Sequence, residues 1–214
     1  MKLQDLQIKI FADGANLEDM LSVYHKGVVR GFTTNPSLMK KAGVQDYKDY
    51  ARNVLQHIPD DPVSFEVFSD DFVTMEKEAE TLSKLGDNVY VKIPVMNTKG
   101  ESSVPLIQKL SSQGCKLNVT AIFTLEQTTN VINALSAETP AIVSVFAGRI
   151  ADTGVDAYVL MKEAAKICMT KPKAELLWAS CREFYNIMEA EKSGCHIITV
   201  PNEILAKSKN YGKD

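Results

Sequence analysis

Lys92 and Glu66 are the most chemically distinctive residues of the sequence, because each interrupts a short run of apolar residues. Lys92 lies in the run VYVKI at 89–93, and Glu66 lies in the run VSFEV at 63–67. Lysine and glutamate are rarely buried in a protein unless they are paired. The two residues could form a purely structural ion pair, but such a pair costs desolvation and returns little stability. A functional role therefore weighs as heavily as a structural one.

The chemistry that a buried lysine allows is Schiff-base formation with a ketone. The neutral amine is the nucleophile, and burial in a medium of low dielectric constant disfavours the charged ammonium form. The iminium that results is an electron sink, so a carbon–carbon bond two atoms away can break. This reaction needs one acid/base for the carbinolamine and another for the hydroxyl at the breaking bond. Glu66 and Asp13, which ends the run IKIFAD, are the carboxylates available to Lys92.

The elements that must position these residues alternate along the chain, with short β-rich runs followed by longer stretches of helical period. Strands are predicted at 8–13, 28–34, 63–67, 89–93, 116–120, 141–146, 174–179 and 195–200. Helices are predicted at 17–26, 46–57, 71–85, 101–113, 125–137, 153–169 and 181–191, with a last one from about 201. Eight strand–helix units in 214 residues predict an α/β protein, a single (β/α)8 TIM barrel. A doubly wound open sheet is the alternative.

Alternation within the strands predicts which residues face the barrel axis. In the run at 63–67 the aliphatic positions would pack under the helices, which leaves Glu66 facing the axis. The same rule predicts polar inward residues at or just beyond the strand ends, namely Asp13, Asn35, Glu66, Lys92, Thr120, Ser144 and Ser180. Each residue alone could be a cap, a turn residue or a satisfied hydroxyl. Their convergence on the C-terminal face, where this fold builds its active sites, favours function.

A phosphate subsite is also predicted at this face. Arg149 follows the sixth predicted strand, and Ser180 and Arg182 lie where the seventh strand meets its predicted helix. Guanidinium groups bind phosphate bidentately, and a helix N-terminus adds backbone donors. A single arginine is more often a surface charge, but two at one face beside a helix start indicate an anion site.

Composition excludes several classes of function. The net charge is −3, from 24 basic and 27 acidic residues, and no basic run suggests nucleic acid or a membrane surface as a partner. No apolar run approaches the ~18 residues of a membrane span, and the first five residues are too polar for a signal peptide. The four cysteines form no CxxC pair and have no histidine at ligand spacing. We therefore expect a cytoplasmic protein with reduced thiols, no metal and no cofactor.

Four segments of the sequence resemble motifs of the transaldolase family. They are GFTTNPS at 31–37, VKIP at 91–94, FAGRIAD at 146–152 and ASCR at 179–182, and they follow the family's order. The short chain is similar to the compact subfamily, which includes the fructose-6-phosphate aldolases. The resemblance implies one class I aldolase-type barrel domain over 1–214 that acts on small sugar phosphates. We also expect a homo-oligomer.

The resemblance implies roles for individual residues. Lys92 would be the Schiff-base lysine, and Asp13 would be the acid/base at the substrate hydroxyl. Glu66 and Thr120 would hold the catalytic water. The remaining residues would bind substrate: Asn35, Ser144 and Phe146 at the donor, and Arg149, Ser180 and Arg182 at the phosphate.

The combination of Glu66 and Phe146 bears on the reaction. Within the family, transaldolases pair a Glu with a Phe at these positions, whereas fructose-6-phosphate aldolases tend to carry Gln and Tyr. The implied function is transfer of a dihydroxyacetone unit from a ketose phosphate to an aldose phosphate. Aldolase-type cleavage remains an alternative, as does a phosphosugar isomerase or epimerase with Glu66 as base and Lys92 as electrophile. A non-catalytic phosphosugar-binding protein would not need the buried lysine.

The sequence departs from the family pattern in three places. The first strand ends in ADG at 12–14, where the family usually has Thr or Ser after the Asp. Val145 replaces a common Pro. The sequence ends at Asp214, so we expect the domain to lack the final C-terminal helix of compact family members.

Overall fold

The computed structural model describes residues 6–213, in which eight parallel strands close into a barrel in chain order. The strands are β1 (Lys9–Asp13), β2 (Phe32–Thr33), β3 (Val63–Glu66), β4 (Val89–Pro94), β5 (Leu117–Ile122), β6 (Ala141–Val145), β7 (Ala174–Trp178) and β8 (Ile197–Pro201). Each strand pairs with the next, and β8 pairs with β1. The predicted (β/α)8 barrel is therefore confirmed, and the open sheet is excluded.

Helices connect the strands on the outside of the barrel. They are α1 (Leu17–His25), α2 (Pro36–Lys41), α3 (Tyr47–His57), α4 (Phe72–Ser83), α5 (Val104–Ser112), α6 (Leu125–Ala134), α7 (Ala147–Asp152), α8 (Ala157–Cys168), α9 (Asn186–Ser193) and α10 (Asn202–Leu205), followed by a 3-10 helix (Ala206–Asn210). Side-chain caps determine several starts. Asp71, for example, accepts a hydrogen bond from the backbone N of Thr74 at 2.9 Å at the start of α4.

Two predicted helices begin four or five residues later than their sequence period suggested. The helix predicted at 153–169 begins at Ala157, because Gly154 has a φ of 83° and the side chain of Asp156 caps the helix. The helix predicted at 181–191 begins at Asn186. The short helices α2 and α7 were not predicted, since six residues are too few to display a period.

Alternate strand residues fill the inside of the barrel with a small apolar cluster. Phe11, Ile142, Leu177, Ala179 and Ile197 form this cluster, which Tyr90 and Phe146 contact. The ring of Phe11 lies over Gly31, where a Cβ atom would come within 2.5 Å of the ring. Apolar residues therefore close the interior below the C-terminal strand ends, and the polar residues stand above them.

None of the helices between residues 6 and 213 is both long and apolar enough to span a membrane. In the same part of the chain, no group of three or more His, Cys, Asp or Glu side chains is placed to hold a metal ion.

Candidate active site

A cavity of about 220 Å³ opens at the C-terminal ends of the strands. Glu66 does not line this cavity but contacts one of its lining residues. The other predicted site residues all line it: Asp13, Asn35, Lys92, Thr120, Ser144, Phe146, Arg149, Ser180 and Arg182. A larger cavity, of about 390 Å³, lies between α4 and α5 at the opposite end of β4 and β5. That is the end on which this fold does not build active sites.

The amine of Lys92 is enclosed in the barrel beside a carboxylate. Lys92 is 8% exposed. Its Nζ lies 3.0 Å from Oε2 of Glu66 and donates a hydrogen bond to the backbone oxygen of Thr34 at 3.1 Å. Lys92 and Glu66 are direct register partners on β4 and β3, so a shift of either strand by one residue would separate them. At this distance the carboxylate can accept a proton from the ammonium group and release the nucleophilic amine.

The end of β3 is held from outside by α3. The hydroxyl of Tyr47 donates a hydrogen bond to the backbone oxygen of Glu66 at 2.7 Å. The ring of Tyr47 packs edge-on against Phe65, with 6.2 Å between ring centroids. Burial, followed by the charge of Glu66, raises the pKa of Tyr47. The phenol therefore stays protonated and acts as a donor that fixes the backbone of Glu66.

Two threonine hydroxyl groups form a hydrogen-bond relay that ends at the carboxylate of Asp13. Thr33 Oγ1 donates to Oδ1 of Asp13 at 2.8 Å and also lies 2.5 Å from Oγ1 of Thr199. Because a hydroxyl carries one hydrogen, Thr199 must donate to Thr33 when Thr33 donates to Asp13. Burial raises the pKa of Asp13, while the charge of Lys92 and the Thr33 hydrogen bond oppose this rise and the charge of Glu203 adds to it.

Both threonines of this relay line the cavity, yet neither was among the predicted site residues. The signal that could have found them is the strand alternation. Thr33 lies two positions before Asn35, and Thr199 lies two positions before the end of β8. Because alternate strand residues point to the same side, each threonine lies on the inward face of its own strand.

A buried polar network crosses the barrel below the cavity. Asn118 Nδ2 donates to Oγ of Ser64 at 2.9 Å, and Ser144 Oγ donates to Oδ1 of Asn118 at 2.6 Å. The network fixes the hydroxyl of Ser144 and leaves its oxygen lone pairs for the cavity. Thr120 Oγ1 is buried and has no hydrogen-bond partner among the described residues. The hydrogen-bonding capacity of this hydroxyl is therefore not used by any described residue. Asn118 lies on the predicted inward face of β5, but it is not among the predicted site residues.

Asn35 has a structural role as well as a place in the cavity lining. Its Oδ1 accepts a hydrogen bond from the backbone N of Leu38 at 2.9 Å and so caps α2. The cap uses the carbonyl oxygen of the side chain and leaves its NH2 group as a donor. Asn35 can therefore serve both as the helix cap and as a site residue, the two interpretations that the sequence offered.

The two arginines at the cavity mouth have different partners. The guanidinium carbon of Arg149 lies 4.8 Å from the ring centroid of Phe146. Arg182 donates from both Nε and Nη2 to Oδ2 of Asp152, with an Nε distance of 3.1 Å. Both arginines are largely exposed. Arg149 is in none of the ion pairs between described residues, so its charge makes this mouth suitable for an anionic group.

The local structure around Ser180 corrects one prediction. Ser180 does not lie at the start of a helix, because α9 begins only at Asn186. Ser180 instead has a φ of 64°, in the left-handed region, which ends β7 and prevents a helix from starting there. The side chain of Asn186 accepts from the backbone N of Arg182 at 2.8 Å and holds this loop. The prediction that a helix start lies beside Ser180 and adds backbone donors to an anion site is therefore wrong.

Comparisons with known proteins agree with this geometry. The chain matches the family model described as Transaldolase/Fructose-6-phosphate aldolase over residues 10–214. It is 39% identical over 207 residues to a protein named "Probable transaldolase" from Caldicellulosiruptor saccharolyticus, with 95% of this chain and 90% of that protein covered. Proteins of the same name from Dehalococcoides mccartyi and Streptococcus pyogenes are 34% and 35% identical, with 95% of this chain and 91% of each protein covered.

A solved structure also resembles the chain. It is described as "a putative dihydrodipicolinate synthase family protein from Coccidioides immitis", and it superposes with a TM-score of 0.63 at 10% sequence identity. The match covers 90% of this chain and 66% of that chain. At this identity the similarity shows a shared fold alone.

Proposed function

Because this chain belongs to the transaldolase/fructose-6-phosphate aldolase family, and is therefore an enzyme of the aldolase type, we propose that it acts as a transaldolase. It would transfer a dihydroxyacetone unit from a ketose phosphate to an aldose phosphate through a Schiff base on Lys92. The observation that carries the proposal is the enclosed amine of Lys92, 3.0 Å from Glu66, on a cavity shared with Asp13 and two arginines.

Lys92 and Glu66 perform the first step of this proposal. Glu66 accepts the ammonium proton, and the free amine attacks the ketone carbon to form a carbinolamine. The carbinolamine loses its hydroxyl as water, with Glu66 returning the proton, and an iminium remains. The contact between Glu66 and Lys92 makes this transfer direct. The hydroxyl of Thr120, which has no partner among the described residues and belongs to a residue that lines the cavity, would help to hold the water.

Asp13 performs the second step. As a carboxylate it takes the proton of the hydroxyl at the breaking bond, that bond breaks, and its electrons flow into the iminium. An aldose phosphate leaves as the aldehyde, and an enamine stays on Lys92. The acceptor aldehyde then adds to the enamine, Asp13 returns the proton to the new alkoxide, and hydrolysis of the iminium frees Lys92. The raised pKa of Asp13 suits a group that both accepts and donates a proton in one cycle.

Substrate binding is assigned to the remaining lining residues. Ser144 and Asn35 would orient the donor hydroxyls with the hydroxyl and amide groups that their structural contacts leave available. Arg149, Ser180 and Arg182 would bind the phosphate. Arg182 already has a carboxylate partner in Asp152, so the phosphate would share that guanidinium.

Transfer rather than cleavage is proposed from the residue pair Glu66 and Phe146. A tyrosine hydroxyl at position 146 could help to orient the catalytic water and favour hydrolysis of the enamine. Phe146 offers no hydroxyl, so the three-carbon fragment would wait on Lys92 for an acceptor. A homo-oligomer and a cytoplasmic location stay predictions from the sequence.

Borohydride trapping tests the proposal. Reduction in the presence of fructose 6-phosphate should add the three-carbon fragment to the peptide that contains Lys92, and Lys92→Met should abolish both labelling and turnover. The matched control is Lys99→Met, which removes a lysine outside the cavity lining. Labelling at Lys84 or Lys99 instead would overturn the assignment to Lys92. Turnover without any labelling would exclude the Schiff base and favour the isomerase or epimerase reaction.

A further inference from the structure

Phe123 follows a local irregularity at the end of β5 and lies against Phe146, a residue that lines the cavity. Ala121 has a φ of 58°, in the left-handed region that side chains rarely adopt. The pairing of β5 with β6 shifts register between Val119 and Ile122, as in a β-bulge. The backbone N of Phe146 donates to the oxygen of Ile122 at 2.9 Å, which ties the ends of the two strands together. Phe123 is thereby directed toward Phe146.

The backbone at Phe123 is held firmly. Its N donates to Oε1 of Gln127 at 2.8 Å, and the N of Thr124 donates to the same oxygen at 3.2 Å. Thr124 and Gln127 also form the capping box that begins α6. The position of Phe123 is therefore set by a strand bulge on one side and a capped helix on the other.

The side chain of Phe123 contacts Phe146, which in turn contacts Arg149. Its ring meets the ring of Phe146 at 66°, with 5.5 Å between centroids, and Arg149 lies over the Phe146 ring. Phe123 is nevertheless 38% exposed, which is unusual for a phenylalanine whose purpose is core packing. The contact with Phe146 is the specific interaction that this exposed ring makes.

We propose that Phe123 is a positioning residue for Arg149. The ring of Phe123 restricts rotation of the Phe146 ring, and the Phe146 ring holds the guanidinium of Arg149 at the phosphate end of the cavity. An exposed arginine otherwise loses considerable side-chain entropy when it binds a ligand, and an arginine held in place before binding avoids much of that loss. The inference rests on the proposed function in one respect, namely that Arg149 binds the substrate phosphate.

The test compares a phosphorylated donor, fructose 6-phosphate, with fructose, and adds inorganic phosphate as a competitive inhibitor. Phe123→Ala should raise KM for fructose 6-phosphate and the inhibition constant of phosphate by roughly 3- to 10-fold, the size expected for one lost aromatic contact. Its kcat and its kinetics with fructose should stay unchanged. Phe123→Tyr keeps the ring and should restore both constants.

Two further variants separate positioning from a general effect on the fold. Phe68→Ala removes another exposed phenylalanine, which packs on Tyr47 at 4.6 Å, and should leave phosphate selectivity unchanged. In an Arg149→Ala background, Phe123→Ala should cause no further loss of phosphate selectivity, because it acts through that arginine. A further loss of phosphate selectivity in the double variant would overturn the inference. An equal rise in KM for fructose in Phe123→Ala would also overturn it.

The outcomes also distinguish this inference from the proposed function. If Lys92 is trapped and Arg149→Ala loses phosphate selectivity while Phe123→Ala does not, the proposed function stands and the positioning role fails. If Arg149→Ala itself leaves phosphate selectivity unchanged, the phosphate assignment fails and the positioning role fails with it.

Discussion

Gly148 packs so closely on Ser180 that a Cβ atom at position 148 would lie 1.6 Å from the backbone oxygen of Ser180. The backbone N of Gly148 also donates to the oxygen of Ala179 at 3.3 Å. This contact joins the segment that follows β6 to the segment that follows β7. It brings Arg149 and Arg182, which are far apart in the sequence, to one side of the cavity.

Gly148→Ala should destabilise the protein by about 1–3 kcal/mol, the usual cost of forcing an extra group into a packed region. It should also raise KM for fructose 6-phosphate more than KM for fructose, because α7 must move away from the segment that follows β7. Urea denaturation measures the first effect and steady-state kinetics the second. Gly14→Ala is the matched control, since its nearest neighbour would be Asn202 Nδ2 at 3.9 Å, an ordinary contact. An unchanged free energy of unfolding in Gly148→Ala would contradict the close approach.

Thr33→Val should move the acidic limb of the pH profile of kcat/KM to higher pH. Asp13 must be ionised to take the substrate proton, and burial already raises its pKa above the ordinary 3.8. Removal of the Thr33 hydrogen bond, which favours the carboxylate, should raise that pKa further. A hydrogen bond worth about 0.5–1.5 kcal/mol corresponds to a shift of about 0.5–1 pH unit. Thr33→Ser keeps the hydroxyl and should leave the limb in place; a shift of equal size in both variants would exclude the hydrogen bond as its cause.

Asp13→Asn should abolish turnover but stabilise the fold at neutral pH. Because the pKa of Asp13 is raised in the folded protein, the native state holds this proton more tightly than the unfolded state does. The stability that the proton contributes is complete below the unfolded pKa, near 3.8, and is lost as the pH rises through the folded pKa. The stabilisation by Asn should therefore appear above that pH and vanish near pH 3. Chemical denaturation at the two pH values measures the difference.

Arg149→Ala and Arg182→Ala should each weaken the binding of phosphorylated substrates. Loss of a charge-assisted partner costs ~1.5–3 kcal/mol, which corresponds to a roughly ten- to hundredfold higher KM. The kinetics with fructose should change little. Asp152→Asn provides a comparison, because it keeps Arg182 but removes the carboxylate that competes with the phosphate. Equal losses for phosphorylated and unphosphorylated donors would show that the arginines are structural.

The wild-type enzyme should transfer the dihydroxyacetone unit faster than it releases dihydroxyacetone. Phe146→Tyr supplies a hydroxyl that can orient water at the enamine, so it should raise release in the absence of an acceptor. Dihydroxyacetone can be quantified from fructose 6-phosphate with and without erythrose 4-phosphate. Phe146→Leu controls for loss of the aromatic contact without adding a hydroxyl. Rapid acceptor-independent release by the wild type would instead support aldolase-type cleavage.

The sequence by itself determined which residues face the barrel interior. Alternation has a period of two, so the apolar positions of the run at 63–67 leave Glu66 inward, and the same rule orients Lys92. The repeated strand–helix units determined the barrel, and closure of the barrel brings strand ends to one face. These inferences succeed because they depend on local periodicity and on a topology with few alternatives.

Only the tertiary structure decided which of these residues contact each other. The pairing of Thr33 with Asp13 depends on the register between neighbouring strands, and the edge-on contact of Phe123 with Phe146 depends on a bulge after Thr120. A left-handed residue such as Ser180 has no reliable signal in the sequence, so the start of α9 was predicted five residues too early. Contacts between distant segments follow from how whole elements pack, and a local pattern carries no information about that packing.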